Sequence, residues 1–105
     1  MKKNLRVTVH GRVHGVFFRR TAMEEAVKLG LSGYADRLEN GRVIIEAEGD
    51  MRSLEIFLRW CRRGPFLAKV NLLIFEYSSN LKNFNVFIIK ENTVRYVSQG
   101  PYACY

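Results

Sequence analysis

Leu5, Val7 and Val9 alternate with Arg6, Thr8 and His10, the period-two pattern of a strand with one buried face. A glycine-punctuated stretch follows. Thr21 is then a candidate helix cap with Glu24 three residues on, as in a capping box, while Ala22, Ala26 and Leu29 share one face up to Gly30. Residues Gly33 to Leu38 read as a second strand, Glu39-Asn40-Gly41 as a tight turn, and Arg42 to Glu48 as the returning strand with Val43, Ile45 and Ala47 on one side. Asp50 is placed to cap a second helix. Met51, Leu54, Phe57, Leu58 and Cys61 recur at helical spacing, Arg52, Glu55, Arg59 and Arg62 take the wet side, and Gly64-Pro65 stops the pattern. Val70 to Tyr77 and Phe84 to Ile89 read as two further strands around a polar turn at Ser78, Ser79 and Asn80.

The element order is βαββαβ with one further strand. It predicts an α+β fold, a ferredoxin-like α/β sandwich with a mostly antiparallel sheet and two helices on one face, because the strands alternate rather than forming unbroken apolar runs. Residues 1–90 are expected to form this domain. Residues 91–105, with Gly100-Pro101, three tyrosines and no periodicity, are expected to be a tail lying on the domain or frayed.

Charge narrows the partners only to anions. The chain has 105 residues, 17 Lys and Arg against 10 Asp and Glu, and a formal net charge of +7. No apolar run approaches the roughly 20 residues of a membrane span, and the start leads into a strand rather than a secretory apolar block, so a soluble, cytoplasmic monomer is expected. Cys61 and Cys104 lack metal or redox spacing and are read as reduced thiols. No aromatic RNA-binding motif of the RNP type is present, which sets nucleic acid aside as a partner, and no membrane is expected.

Val9 to Arg19, VHGRVHGVFFR, supplies the candidate chemistry. Gly11 and Gly15 free the backbone, so consecutive N–H groups near Gly15, Val16, Phe17 and Phe18 can face an anion, with the Arg19 guanidinium completing a phosphate cradle that needs no metal and no cofactor. Of the adjacent Phe17 and Phe18, one is expected in the core and the other exposed. His14 is read as packing or bonding locally, and Arg59, Arg62 and Arg63 as a solvated helix end.

These residues carry a resemblance. Val9, Gly11, Val13, Gly15, Val16, Phe18 and Arg19, followed by Gly33, Tyr34, Ala35, Gly41, Val43, Gly49 and Gly64-Pro65, resemble the two signatures of the acylphosphatase family over about residues 5–90. The resemblance implies a small metal-free hydrolase that splits the carboxyl-phosphate bond of small acyl phosphates, releasing a carboxylate and inorganic phosphate. It also implies that Arg19 and the amides before it bind the phosphoryl group. In the family an asparagine eighteen positions after this arginine orients the attacking water, and here that position holds Arg37. A guanidinium only donates hydrogen bonds, so catalysis through Arg19 and Arg37 is expected to be weakened. The alternative is a catalytically degenerate module that binds phosphate or acyl phosphate without turnover. His14 in place of the family's usual glutamine, and Ala22 where many members carry threonine, are smaller departures.

Overall fold

The computed structural model describes residues 1–13 and 17–90. Strand β1 (Lys2–Arg12), helix α1 (Phe18–Lys28), strands β2 (Ser32–Arg37) and β3 (Val43–Asp50), helix α2 (Met51–Arg63), and strands β4 (Lys69–Ser78) and β5 (Phe87–Ile89) follow in the expected order. They form one five-stranded sheet in the order β4-β1-β3-β2-β5. The β1–β3, β1–β4 and β2–β3 pairs are antiparallel, and the β2–β5 pair is parallel. The tail expected over residues 91–105, including Cys104, lies outside the described residues. Among the described residues no helix is long and apolar enough to cross a membrane.

The alternation in β1 and β3 translates directly into the core. Leu5, Val7 and Val9 pack with Val43, Ile45 and Ala47, against Phe18, Ala22 and Ala26 of α1 and Leu54, Phe57, Leu58 and Cys61 of α2. Cys61 is fully buried, which pushes its thiol pKa far up and keeps it protonated. Asp50 caps α2 as expected, its carboxylate accepting the Arg52 N–H at 3.1 Å, and the Gly64 N–H closes the helix on the Trp60 carbonyl at 2.7 Å.

Two glycines are required by close strand approach. A Cβ on Gly33, at φ +146°, would lie 1.9 Å from the Glu46 carbonyl oxygen, and one on Gly11, at φ +135°, would lie 2.1 Å from that of Lys69. Gly11 therefore serves a bulge between β1 and β4 and is part of the strand, not of the anion loop as the sequence pattern suggested.

The capping box expected at Thr21 and Glu24 is absent. Helix α1 begins four residues earlier, at Phe18 after an N-cap at Phe17, and Thr21 sits inside its first turn, donating from Oγ1 to the Phe17 carbonyl at 2.8 Å. Glu24 instead faces Arg20 at 3.8 Å, and Lys28 pairs with Glu25 at 3.1 Å.

The last strand is shorter than its sequence pattern, with Phe84 to Val86 left in the connection. The connection that precedes it is held by a carboxylate network on the helix-free face of the sheet. Glu48 of β3, 2% exposed, accepts the backbone N–H groups of Lys82, Asn83 and Phe84. Asn83, at φ 59°, bends the chain so that these successive N–H groups converge on one anion. Glu46, completely buried, pairs with the Lys82 ammonium at 2.9 Å and is bonded by the Tyr34 hydroxyl. The Asn4 amide joins both carboxylates, at 2.9 Å to Glu46 and 2.8 Å to Glu48.

Burial, the largest influence on Glu46 and Glu48, pushes their pKa values up, but the hydrogen bonds from Lys82 and Asn4, with Tyr34 on Glu46, outweigh it and hold both below the ordinary 4.5. A carboxylate whose folded pKa is depressed adds stability that is present above its unfolded pKa and lost as pH falls through the folded one. Urea unfolding midpoints should therefore hold steady from pH 7 to about 5 and fall progressively below 4.5. In a Glu46→Gln variant, less stable at neutral pH, that acid dependence should be flatter.

Candidate active site

Helix α1 starts where it does because Phe18 is buried, 1% exposed, with its ring centroid 5.4 Å from that of Trp60 on α2. A Cβ added to Gly64 would come within 2.7 Å of the Phe18 ring, so the end of α2 closes around it. Phe17, by contrast, is 75% exposed and adopts the left-handed conformation, φ 59° and ψ 30°. One of the two phenylalanines thus enters the core and the other does not. A non-glycine residue held left-handed carries strain on the order of 1–3 kcal/mol, and such residues concentrate at ligand-binding turns. Phe17, at the N-cap position, makes no side-chain capping hydrogen bond.

The first turn of α1 is electropositive in three ways. Helix geometry leaves the amides of Phe18, Arg19 and Arg20 without intrahelical acceptors, because the Thr21 N–H makes the first bond, to the Phe17 carbonyl at 3.0 Å. The helix dipole places partial positive charge at this end. No acidic residue occupies the turn, whereas Arg19 and Arg20 do. Arginines there oppose the dipole in an isolated helix, so the arrangement suits a turn that receives an anion.

Arg19 is half-buried and aimed by the opposite edge of the sheet. Its Nη1 donates to the Lys90 carbonyl at 3.1 Å, immediately after β5, and the Lys90 N–H donates to the Ala35 carbonyl of β2 at 2.9 Å. Arg37 lies two residues beyond Ala35, about 7 Å along the strand and on the same, helix-covered face. Its N–H donates to Asp36 Oδ1 at 2.8 Å. The start of α1 and the end of β2, far apart in sequence, are thus linked through Lys90. Sequence reasoning missed Lys90 because its contribution is a backbone carbonyl, which carries no residue-type signal.

Of the expected cradle, Phe17, Phe18 and Arg19 are placed as one turn; Gly15 and Val16, with His14, lie outside the described residues. Arg59, Arg62 and Arg63 are exposed at the end of α2, where Arg62 covers the Phe75 ring at 5.7 Å. No group of three His, Cys, Asp or Glu side chains able to hold a metal ion occurs among the described residues.

The family model described as Acylphosphatase matches residues 5–89. This chain belongs to the acylphosphatase family. It is 50% identical to an acylphosphatase of Methylococcus capsulatus over 87 residues, 83% of this chain and 95% of that protein. The acylphosphatase of Thermus thermophilus is 44% identical over 81 residues, 75% of this chain and 92% of its own length. Among solved structures, the acylphosphatase from Bacillus subtilis superposes with a TM-score of 0.82 at 34% identity, covering 85% of this chain and 99% of that one. The ferredoxin-like α+β architecture is therefore that of solved acylphosphatases.

The burial difference between the two phenylalanines makes a direct test of how the first turn is held. Phe18→Ala should cost about 3–5 kcal/mol in urea unfolding, through lost burial and a cavity beside Trp60. Phe17→Ala should change stability by no more than about 0.5 kcal/mol, as expected of an exposed side chain.

Proposed function

We propose that the chain hydrolyses the carboxyl-phosphate bond of small acyl phosphates, with the phosphoryl group held at the start of α1. The observation that carries this reading is the first turn of α1, where the amides of Phe18, Arg19 and Arg20 lack intrahelical acceptors, no acidic residue is present and Arg19 is half-buried, in a chain of this family. Arg19 binds two phosphoryl oxygens through its planar fork, and the amides of Gly15, Val16, Phe17 and Phe18 bind the others. Water attacks phosphorus opposite the carboxylate, the phosphorus–oxygen bond to the acyl group breaks, and the carboxylate leaves with the bonding pair. The proton lost by the water passes to the phosphate or to solvent.

The leaving carboxylate needs no protonation, so positioning and charge stabilisation supply most of the catalysis, and no nucleophilic side chain is required. Arg37 stands where the family's asparagine would orient the water. Its guanidinium has no acceptor for a water hydrogen, so it strengthens binding of the anion without aiming the attack. Turnover is accordingly slow. Inorganic phosphate, which offers the same oxygens, is product and inhibitor.

Benzoyl phosphate hydrolysis tests these roles together. Arg37→Asn should raise kcat by about tenfold or more, and Arg19→Ala should lower kcat/KM on the order of a hundredfold, the scale of losing one preorganised group. A fast wild-type enzyme that Arg37→Asn slows would contradict the role given to Arg37. Phosphate binding without hydrolysis in either the wild type or Arg37→Asn would favour a binding module.

A further inference from the structure

The carboxylate network on the helix-free face and the arginine on the opposite side of the sheet are joined by a short path. Glu48 captures the amides of Lys82, Asn83 and Phe84, and three residues after Phe84 the chain enters β5. That strand has only three residues and lies at the edge of the sheet. A three-residue parallel ladder pairs it with β2, Gly33 with Phe87, Tyr34 with Ile88 and Ala35 with Ile89. The Gly33 N–H donates to the Val86 carbonyl and the Lys90 N–H to the Ala35 carbonyl, both at 2.9 Å, while Phe87 packs edge-on to Phe57 with centroids 6.4 Å apart. Directly after β5, the Lys90 carbonyl takes the Arg19 guanidinium at 3.1 Å.

We propose that Glu48 is a positioning residue for phosphoryl binding: by fixing residues 82–84 it sets where β5 lies, and so where the Lys90 carbonyl aims Arg19. The proposal rests on the reading of Arg19 as the phosphoryl ligand. A carboxylate that is 2% exposed and holds consecutive main-chain amides adds a fixed backbone anchor just ahead of the short β2–β5 ladder. Arg19, with several rotatable bonds, gains a defined direction only from its acceptor. Glu46 reinforces the arrangement through the Lys82 ammonium, and Asn4 ties the two carboxylates to β1.

The test compares the wild type with Glu48→Gln, which preserves side-chain size but presents an amide to three N–H donors. Lys82→Met is a milder second variant, since its side chain is half-exposed and its backbone N–H is retained. Three readouts are needed: hydrogen exchange of the Gly33 and Lys90 amides against amides of the β1–β3 ladder, the Arg19 Nε–H resonance, and inorganic phosphate affinity at constant ionic strength. In Glu48→Gln, protection at Gly33 and Lys90 should fall while the β1–β3 ladder stays protected, the Arg19 resonance should shift, and the phosphate Kd should rise about tenfold, since small displacements of a positioned group are costly. Lys82→Met should give the same signature at smaller amplitude and serves alone if Glu48→Gln does not fold.

An unchanged Arg19 resonance despite loosened β5 amides would overturn the proposal, as would an equal loss of protection in the β1–β3 ladder. If the Arg19 resonance and β5 protection respond as expected but even the wild type fails to bind phosphate, the fault lies with the phosphoryl role of Arg19 and not with its positioning by Glu48.

Discussion

Burial of Phe18 fixes the point at which α1 begins, and the candidate site follows from that point. With its ring held between Trp60 and the Gly64 turn, Phe18 must be the first helical residue, so the amides of the first turn and the Arg19 side chain face outward at one defined place. The left-handed Phe17 is the local cost of bringing the loop to that place, and the core contacts of its neighbour offset it. Slipping the register of α1 by one residue would rotate Arg19 about 100° around the axis, away from Lys90.

The site then depends on parts of the sheet that do not touch it. Lys90 reaches Arg19 because β5 pairs in parallel with β2, and the connection leading into β5 is held by buried carboxylates of β3. Buried acids normally oppose folding, yet Glu46 and Glu48 remain charged because each accepts several donors. Their position on the central strand β3, between β1 and β2, lets one cluster fix both the Asn4 side of the sheet and the distant edge.

Much of this was legible in the sequence, and the gaps have physical causes. The strands β1 and β3 and the helix α2 announced themselves through periodicity and the Asp50 cap, because one face of each is buried and the other wet. Arg19 and its phenylalanines were recognisable as a loop-to-helix motif. The helix start was displaced because a left-handed Phe17 leaves no mark in a pattern that contains a plausible Thr21 cap. The last strand was overextended at Phe84, whose amide Glu48 takes with those of Lys82 and Asn83 in a contact between residues more than thirty positions apart. Gly11 looked like a loop residue, but the pressure on it comes from the Lys69 carbonyl of a neighbouring strand.

Electrostatics separates the two arginines. Arg19 sits at the positive end of a helix, where an anion would offset an unfavourable charge arrangement. Arg37, at the end of β2, adds positive charge but no acceptor. The first claim is the central one, and a ¹⁵N-resolved NMR titration with inorganic phosphate, at ionic strength fixed with chloride, addresses it most directly. Saturable shifts of the Phe17, Phe18, Arg19 and Arg20 amides, absent in Arg19→Ala and not reproduced by chloride, are the expected result. Shifts spread over the basic surface at Arg59, Arg62 and Arg63, with the first turn of α1 unmoved, would contradict it.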